Sequence, residues 1–215
     1  MSAVRLYTYW RSTSAYRVRI ALALKGIAVE QVPVHLVRNG GEQHAPAYAA
    51  LNPQQRLPTL VLDDGTVLTQ SPAILEYLEE AYPAPPLLPA SAVARAKVRA
   101  VAALIGCDIH PLNNVSPLTM LRRELKQDEA AVSAWIARWI TEGFAAVEQM
   151  IGEEGYCFGH APGLADLYLI PQLYSARRFN VPLEAYPRIL RVEALAATHP
   201  AFMAAHPARQ ADAEG

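Results

Sequence analysis

Cysteine is scarce, with 2 in 215 residues, Cys107 and Cys157. They fit no zinc or iron–sulfur spacing, they form no C-x-x-C pair, and the 6 histidines show no H-x-x-x-H pattern. Neither a metal centre nor a thioredoxin-type redox site is therefore expected, and each cysteine reads as a small buried hydrophobe. An excess of charge of either sign is also missing. With 19 Lys/Arg against 20 Asp/Glu, the net charge of −1 leaves no electrostatic footprint for nucleic acid. Long apolar runs are absent too: the longest, residues 100–107, is far too short to span a bilayer. The first residues lack the charged start and apolar segment of a signal peptide, so the expected location is cytoplasmic. What remains is 52% hydrophobic and 18% charged, a globular composition for one large domain or two small ones acting on a small, local partner.

The most informative stretch is RLYTYWRSTSAYRVRIALALKG at 5–26. Leu6, Tyr7, Tyr9 and Trp10 favour a half-buried strand. Val18, Ala21, Leu22 and Leu24 form a helical stripe with Arg17, Arg19 and Lys25 off it, and Gly26 stands where a left-handed residue ends a helix. Between strand and helix lie Arg11, Ser12, Thr13 and Ser14, hydroxyls at the free N–H groups and positive end of a helix. That setting suits an anion, a thiolate included.

Residues 29–34 alternate as a second strand. Residues 36–52 read as irregular, and 57–62 and 67–69 form two β runs around an Asp-Asp-Gly turn, a hairpin signal. Pro58 opens the first run, and base rates alone favour a trans bond before it. Gln70, Ser71 and Pro72 start another helix, with Ser71 as N-cap, Pro72 at N1 and Ile74, Leu75, Leu78 and Tyr82 buried. Pattern alone thus gives an α/β half with a hairpin edge. The proline-rich 83–90 is a stiff linker, and helices follow at 91–109, 128–151, 164–178 and 187–198. The tail from 207 onward is small and polar and is expected to fray.

An α/β half, a proline linker and an all-helical half resemble the cytosolic glutathione transferases, and the motifs resemble the zeta class. RSTSAYRVRIAL at 11–22 is similar to that class's active-site signature, and LNP at 51–53, LPTL at 57–60, QSPAI at 70–74, DIHPLNN at 108–114, and 171–179 from Pro171-Gln172 to Arg178-Phe179 match it too. The resemblance runs from about residue 5 to 207. It implies a thioredoxin-like glutathione-binding domain at 1–82, a linker at 83–90 and an all-α substrate-binding domain at 91–215, assembled as a homodimer.

The resemblance also assigns roles. Ser12 donates to the sulfur of the cofactor glutathione, with Ser14 beside it. Gln70 and Ser71 hold the γ-glutamyl end, Arg56 and Leu57 the cysteinyl moiety beside a cis-proline, and Gln43 and Asn113 the glycyl end. Arg11 and Arg178 are placed to fork onto the carboxylates of a dicarboxylate substrate, with His110 nearby as a minor candidate and a packed core histidine as its plainer reading. The implied reaction is glutathione-dependent cis–trans isomerisation of maleylacetoacetate or maleylpyruvate, the alternative being transfer or dehalogenation on α-haloacids. Two departures stand out. Many zeta members carry Ser-Ser-Cys where this chain has Ser12, Thr13 and Ser14, so no protein thiol acts at that turn. Gly163 replaces the usual Ser/Thr three residues before Asp166, which removes the side-chain bond to the helix N3 amide.

Overall fold

The computed structural model describes residues 4–214 and contains two compact units, 87–197 and the remainder. In the first unit, β1 (Arg5–Thr8) lies between a parallel β2 (Glu30–Pro33) and an antiparallel β3 (Thr59–Val61), and β3 carries the antiparallel edge strand β4 (Val67–Thr69). Leu6 stands opposite Leu60, both fully buried, so the middle of the sheet is its dry centre.

Helix α1 (Thr13–Leu24) is buried at every position from Ala15 to Leu22, because α3 (Ser71–Ala81) and the late helix α9 (Pro200–Ala205) both pack on it. A one-sided stripe was therefore the wrong picture: Arg17 and Arg19 lie inside the unit. The helix ends as expected. Gly26 has φ +66°, Ile27 N donates to Leu22 O at 2.9 Å and Gly26 N to Ala23 O at 3.3 Å, the paired bonds of a Schellman motif. Lys25 then reaches Glu79 Oε2 at 3.1 Å and Pro85 O at 3.0 Å, fastening the end of α1 to α3 and the chain beyond it.

A short helix α2 (Pro46–Leu51) occupies part of the segment read as irregular. Six residues were too few for a helical period to register.

The second unit holds α4 (Ala92–Ala103), a π-helical turn (Leu104–Ile109), a 3₁₀ turn (His110–Asn113), α5 (Val115–Arg123), α6 (Glu129–Met150) and α7 (Leu164–Arg178), followed by α8 (Pro187–Thr198). Its core includes the inward face of α6, where Val132, Ile136, Ile140, Phe144 and Val147 recur at helical spacing. Gly143 lies against the π turn, since a Cβ there would stand 2.2 Å from Ile109 Cδ1.

Two boundaries differ from the expected ones. Leu87 and Leu88, read as linker, are buried, and the Leu87 carbonyl accepts from Leu164 N at 2.8 Å, so both belong to the helical unit. The segment from Thr198 onward, expected in the helical domain, joins the first unit instead. Its anchors are α9, whose Ala205 carbonyl accepts from Arg19 Nε at 3.1 Å, and Asp212, whose Oδ2 accepts from Trp10 N at 3.0 Å. The tail is thus tied down where fraying was expected. No helix among the described residues is long and apolar enough to cross a membrane.

Candidate active site

Strand β1 stops at Thr8, and Ser12 N donates to Tyr9 O at 2.9 Å to close a turn into α1. Ser12 is the N-cap, with Oγ accepting from Ala15 N at 3.2 Å. Capping uses an oxygen lone pair and leaves the hydroxyl proton to donate elsewhere, so the cap and a donor to an anion are compatible roles. Thr13 and Ser14 follow as the first two helical residues, at the end where backbone N–H groups lack intrahelical acceptors. Arg11 is exposed, its guanidinium 4.1 Å from the centre of the Trp10 ring.

Beneath this turn lies the buried guanidinium of Arg19. Nη1 donates to Thr8 Oγ1 at 2.9 Å and to Tyr9 O at 3.2 Å, and Nη2 donates to Trp10 O at 3.0 Å. Arg17, also buried, sends Nη1 to Ser71 Oγ at 3.4 Å. The signal that could have found both is an R-V-R triplet inside an apolar helix with no acidic residue one turn away in either direction.

Ser71, Gln70, Gln43 and Arg56, the other expected cofactor residues of this unit with Leu57, each bond to neighbouring residues. Ser71, buried, is the first residue of α3 and not its cap; the cap is Gln70, at φ +66° and ψ 116°. A non-glycine residue in that region is uncommon and is held there by its surroundings. The Gln70 amide donates to Gln54 Oε1, and Gln55 Oε1 pairs with His44 Nδ1 at 2.6 Å. Gln43, adjacent and buried, has Nε2 3.5 Å from Leu36 O, while its Oε1 is buried without a partner. Gly41, beside it, sits at φ +105°, a backbone conformation that residues with a side chain rarely adopt.

Between these segments the Leu57-Pro58 bond is cis, not the trans form that base rates favour, and the Arg56 carbonyl before it is held by two donors. Tyr48 OH donates to it at 2.6 Å and Asn52 Nδ2 at 2.8 Å, and both also meet Thr59 Oγ1. Burial pushes the Tyr48 phenol above its ordinary range, against the lowering effect of Thr59 and Asn52, which keeps it a proton donor.

In the helical unit, His110 and Asn113 are the buried residues of one 3₁₀ turn, with Asn113 Nδ2 donating to Ile109 O at 3.2 Å. Arg178, exposed at the end of α7, lies with its guanidinium 5.1 Å from the Phe179 ring, while neighbouring Arg177 is paired with Glu193 at 2.6 Å. At the start of α7, Asp166 Oδ2 accepts from Gly163 N at 2.8 Å and Oδ1 from Cys157 N at 2.9 Å. Gly163 has no side chain to return the bond, so half of a capping box is present. Burial raises the Asp166 carboxyl despite those two amides, and it pushes the Cys157 thiol well up, with Asp166 adding to the effect. Cys157 is an inert core residue as expected; Cys107 is exposed, which the sequence reading did not anticipate.

A family model for the N-terminal domain of glutathione S-transferases matches residues 6–86. The chain is 61% identical to a maleylacetoacetate isomerase of Pseudomonas aeruginosa, over 97% of this chain and 98% of that protein. The chain belongs to the zeta class of glutathione transferases, the family of the maleylacetoacetate and maleylpyruvate isomerases. A bacterial zeta-class maleylpyruvate isomerase in its holo form superposes with a TM-score of 0.93 at 49% identity, over 98% of this chain and all of the other. Maleylacetoacetate isomerase from Anaeromyxobacter dehalogenans, solved with bound glutathione, superposes with a TM-score of 0.88 at 45% identity, over 99% of this chain and 98% of the other. Another crystal of that relative holds dicarboxyethyl glutathione and citrate in the active site. In this zeta-class chain the hydroxyl turn, the cis-proline segment and the start of α3 fall within the matched residues 6–86.

Proposed function

We propose that the protein is a glutathione-dependent cis–trans isomerase of maleylacetoacetate, or of maleylpyruvate, with the first unit holding glutathione and the helical unit holding the acid. The observation that carries this reading is the Ser12 cap, a hydroxyl whose oxygen is engaged by Ala15 N while its proton is left to donate at the mouth of α1. Glutathione offers two carboxylates, two peptide units and a thiol. The first unit offers matching groups: two helix N-termini for anionic groups, the orphaned buried Oε1 of Gln43 as an acceptor for an N–H, and the Leu57 backbone beside Pro58. We assign the thiol to Ser12 with Ser14 beside it, the γ-glutamyl end to Gln70 and Ser71, the cysteinyl backbone to Arg56 and Leu57, and the glycyl end to Gln43 and Asn113.

Glutathione, when bound, supplies a thiolate that adds reversibly to the conjugated cis double bond and is regenerated once the resulting single bond has rotated. The chain's own residues prepare and stabilise that chemistry. Ser12 donates to the sulfur, and the positive end of α1 favours its ionised form. Arg11 and Arg178 each bring a guanidinium fork for one carboxylate, which fixes the acid and offsets the enolate charge that develops as the double bond opens. His110, nine-tenths buried, is assigned as a packed wall of the acid-binding side in preference to a proton carrier. A cytoplasmic location and a homodimer complete the proposal, supported by the zeta-class assignment; light scattering of the purified protein tests the dimer.

An absorbance assay with substoichiometric glutathione and a count of free thiol separates isomerisation from substitution. Isomerisation that needs glutathione and leaves the thiol count constant supports the proposal. Thiol consumed with an α-haloacid, and no isomerisation of either maleyl acid, would replace it with the transferase reading.

A further inference from the structure

The terminal residues 210–214 connect two parts of the first unit. Gln210, buried, anchors the segment by donating Nε2 to Ala204 O at 3.0 Å and His206 O at 2.9 Å. Asp212 Oδ2 then accepts from Trp10 N at 3.0 Å. Ala213 packs on the cluster of Tyr9, Trp10, Val34, Tyr48 and Leu57. Glu214 Oε1 accepts from Arg38 Nη2 at 2.6 Å and stands 3.4 Å from His35 Nε2. One side of this tail therefore holds the turn that leads into Ser12, and the other meets the loop that leads into Gln43 through an exposed ion pair.

Trp10 lies beyond the end of β1, so its amide has no ladder partner. Its N–H is taken by Asp212 and its C=O by Arg19 Nη2 at 3.0 Å. Residues Arg11 and Ser12 follow from a peptide restrained on both sides, one restraint from within the fold and one from the far end of the chain. A carboxylate on a backbone N–H is a strong, directional bond. Losing it frees the turn to shift, and a displacement of about 1 Å at a reacting group has large kinetic effects.

We propose that Asp212 is a positioning residue for the Ser12 turn. The proposal rests on reading the turn as the glutathione-sulfur site. The test compares Asp212→Ala and Asp212→Asn with the wild-type enzyme, using glutathione binding by calorimetry, thiol titration of bound glutathione, the KM for the acid and the melting temperature. Asp212→Ala is expected to weaken glutathione binding about three- to tenfold and to raise the pKa of the bound thiol, with the acid's KM raised as well because Arg11 shares the turn, and the melting temperature lowered by a few degrees. Asp212→Asn keeps an oxygen acceptor without its charge and is expected to fall between the other two, and it serves alone if the alanine variant does not fold. Wild-type binding and titration in both variants would overturn the proposal. So would a thiol that titrates lower, the result expected if Asp212 acted only as a negative charge near the sulfur. A wild-type enzyme that bound no glutathione would instead defeat the underlying reading of the site.

Discussion

Arg19 Nη1 donates to Thr8 Oγ1 at 2.9 Å, placing a buried guanidinium under the last residue of β1. Through its other nitrogens the same group holds the carbonyls of Trp10 and Ala205, so one side chain joins strand, turn and C-terminal helix. Arg19→Ala strands these acceptors in a dry interior and is expected to cost about 3–5 kcal/mol, measured by urea unfolding. Arg19→Lys rescues little, because an ammonium cannot reproduce the fork. A loss below about 1 kcal/mol in the alanine variant would show that the acceptors find other partners.

The two arginines also show where sequence reading reached its limit. Leu6, Leu60, Ile74 and Leu78 were legible, because strand alternation and helix spacing are local properties. So were the hairpin, the Gly26 stop and the Ser12 turn. Arg17 and Arg19 were assigned to the outside, since their burial depends on acceptors as distant in sequence as Ser71 and Ala205. The tail was misjudged for the same reason: a small polar segment looks loose until Trp10 N and Arg38 are found beside it. Gln70 at φ +66° carries no composition signal, and the shift of the α3 cap from Ser71 to Gln70 follows from it.

Arg178→Ala is expected to raise the KM for a maleyl dicarboxylate by about tenfold or more while leaving glutathione binding within about twofold. Arg177→Ala, which loses a solvent-exposed pair with Glu193, is the control and should change neither. Steady-state kinetics with each substrate varied in turn checks both. A larger effect on glutathione than on the acid would remove Arg178 from the substrate site.

His206 lies edge-on to Tyr16, and its Nδ1 accepts from Ala208 N at 3.2 Å. Burial lowers its pKa, and the charges of Arg19 and Arg209 lower it further. A depressed imidazole pKa means that the unfolded chain binds the proton more tightly. The stability this contributes is present above the ordinary value of about 6.5 and is lost as pH falls below it through the folded value. Melting temperature should therefore fall between pH 7.5 and pH 5.5, and His206→Gln should fall less. Equal slopes for the two proteins would contradict the assignment.

Gly163→Ser would restore the side chain missing from the start of α7, and a serine cap in place of glycine gains only a few tenths of a kcal/mol. Its Cβ, however, would stand 2.9 Å from the Leu87 carbonyl oxygen, which already accepts from Leu164 N. A backbone carbonyl yields little to an added Cβ, so the variant is expected to lose about 1 kcal/mol in chemical denaturation. A gain in stability would mean that the 87–88 segment gives way at low cost.

Whether the turn at the head of α1 holds glutathione's sulfur as a thiolate is tested most directly by ultraviolet titration of the bound thiol in wild type and Ser12→Ala. The wild-type complex should ionise well below free glutathione. The variant should titrate about one unit or more higher, with turnover reduced about tenfold or more in parallel, since one pKa unit corresponds to about 1.4 kcal/mol. An unchanged titration and unchanged turnover in Ser12→Ala would contradict it.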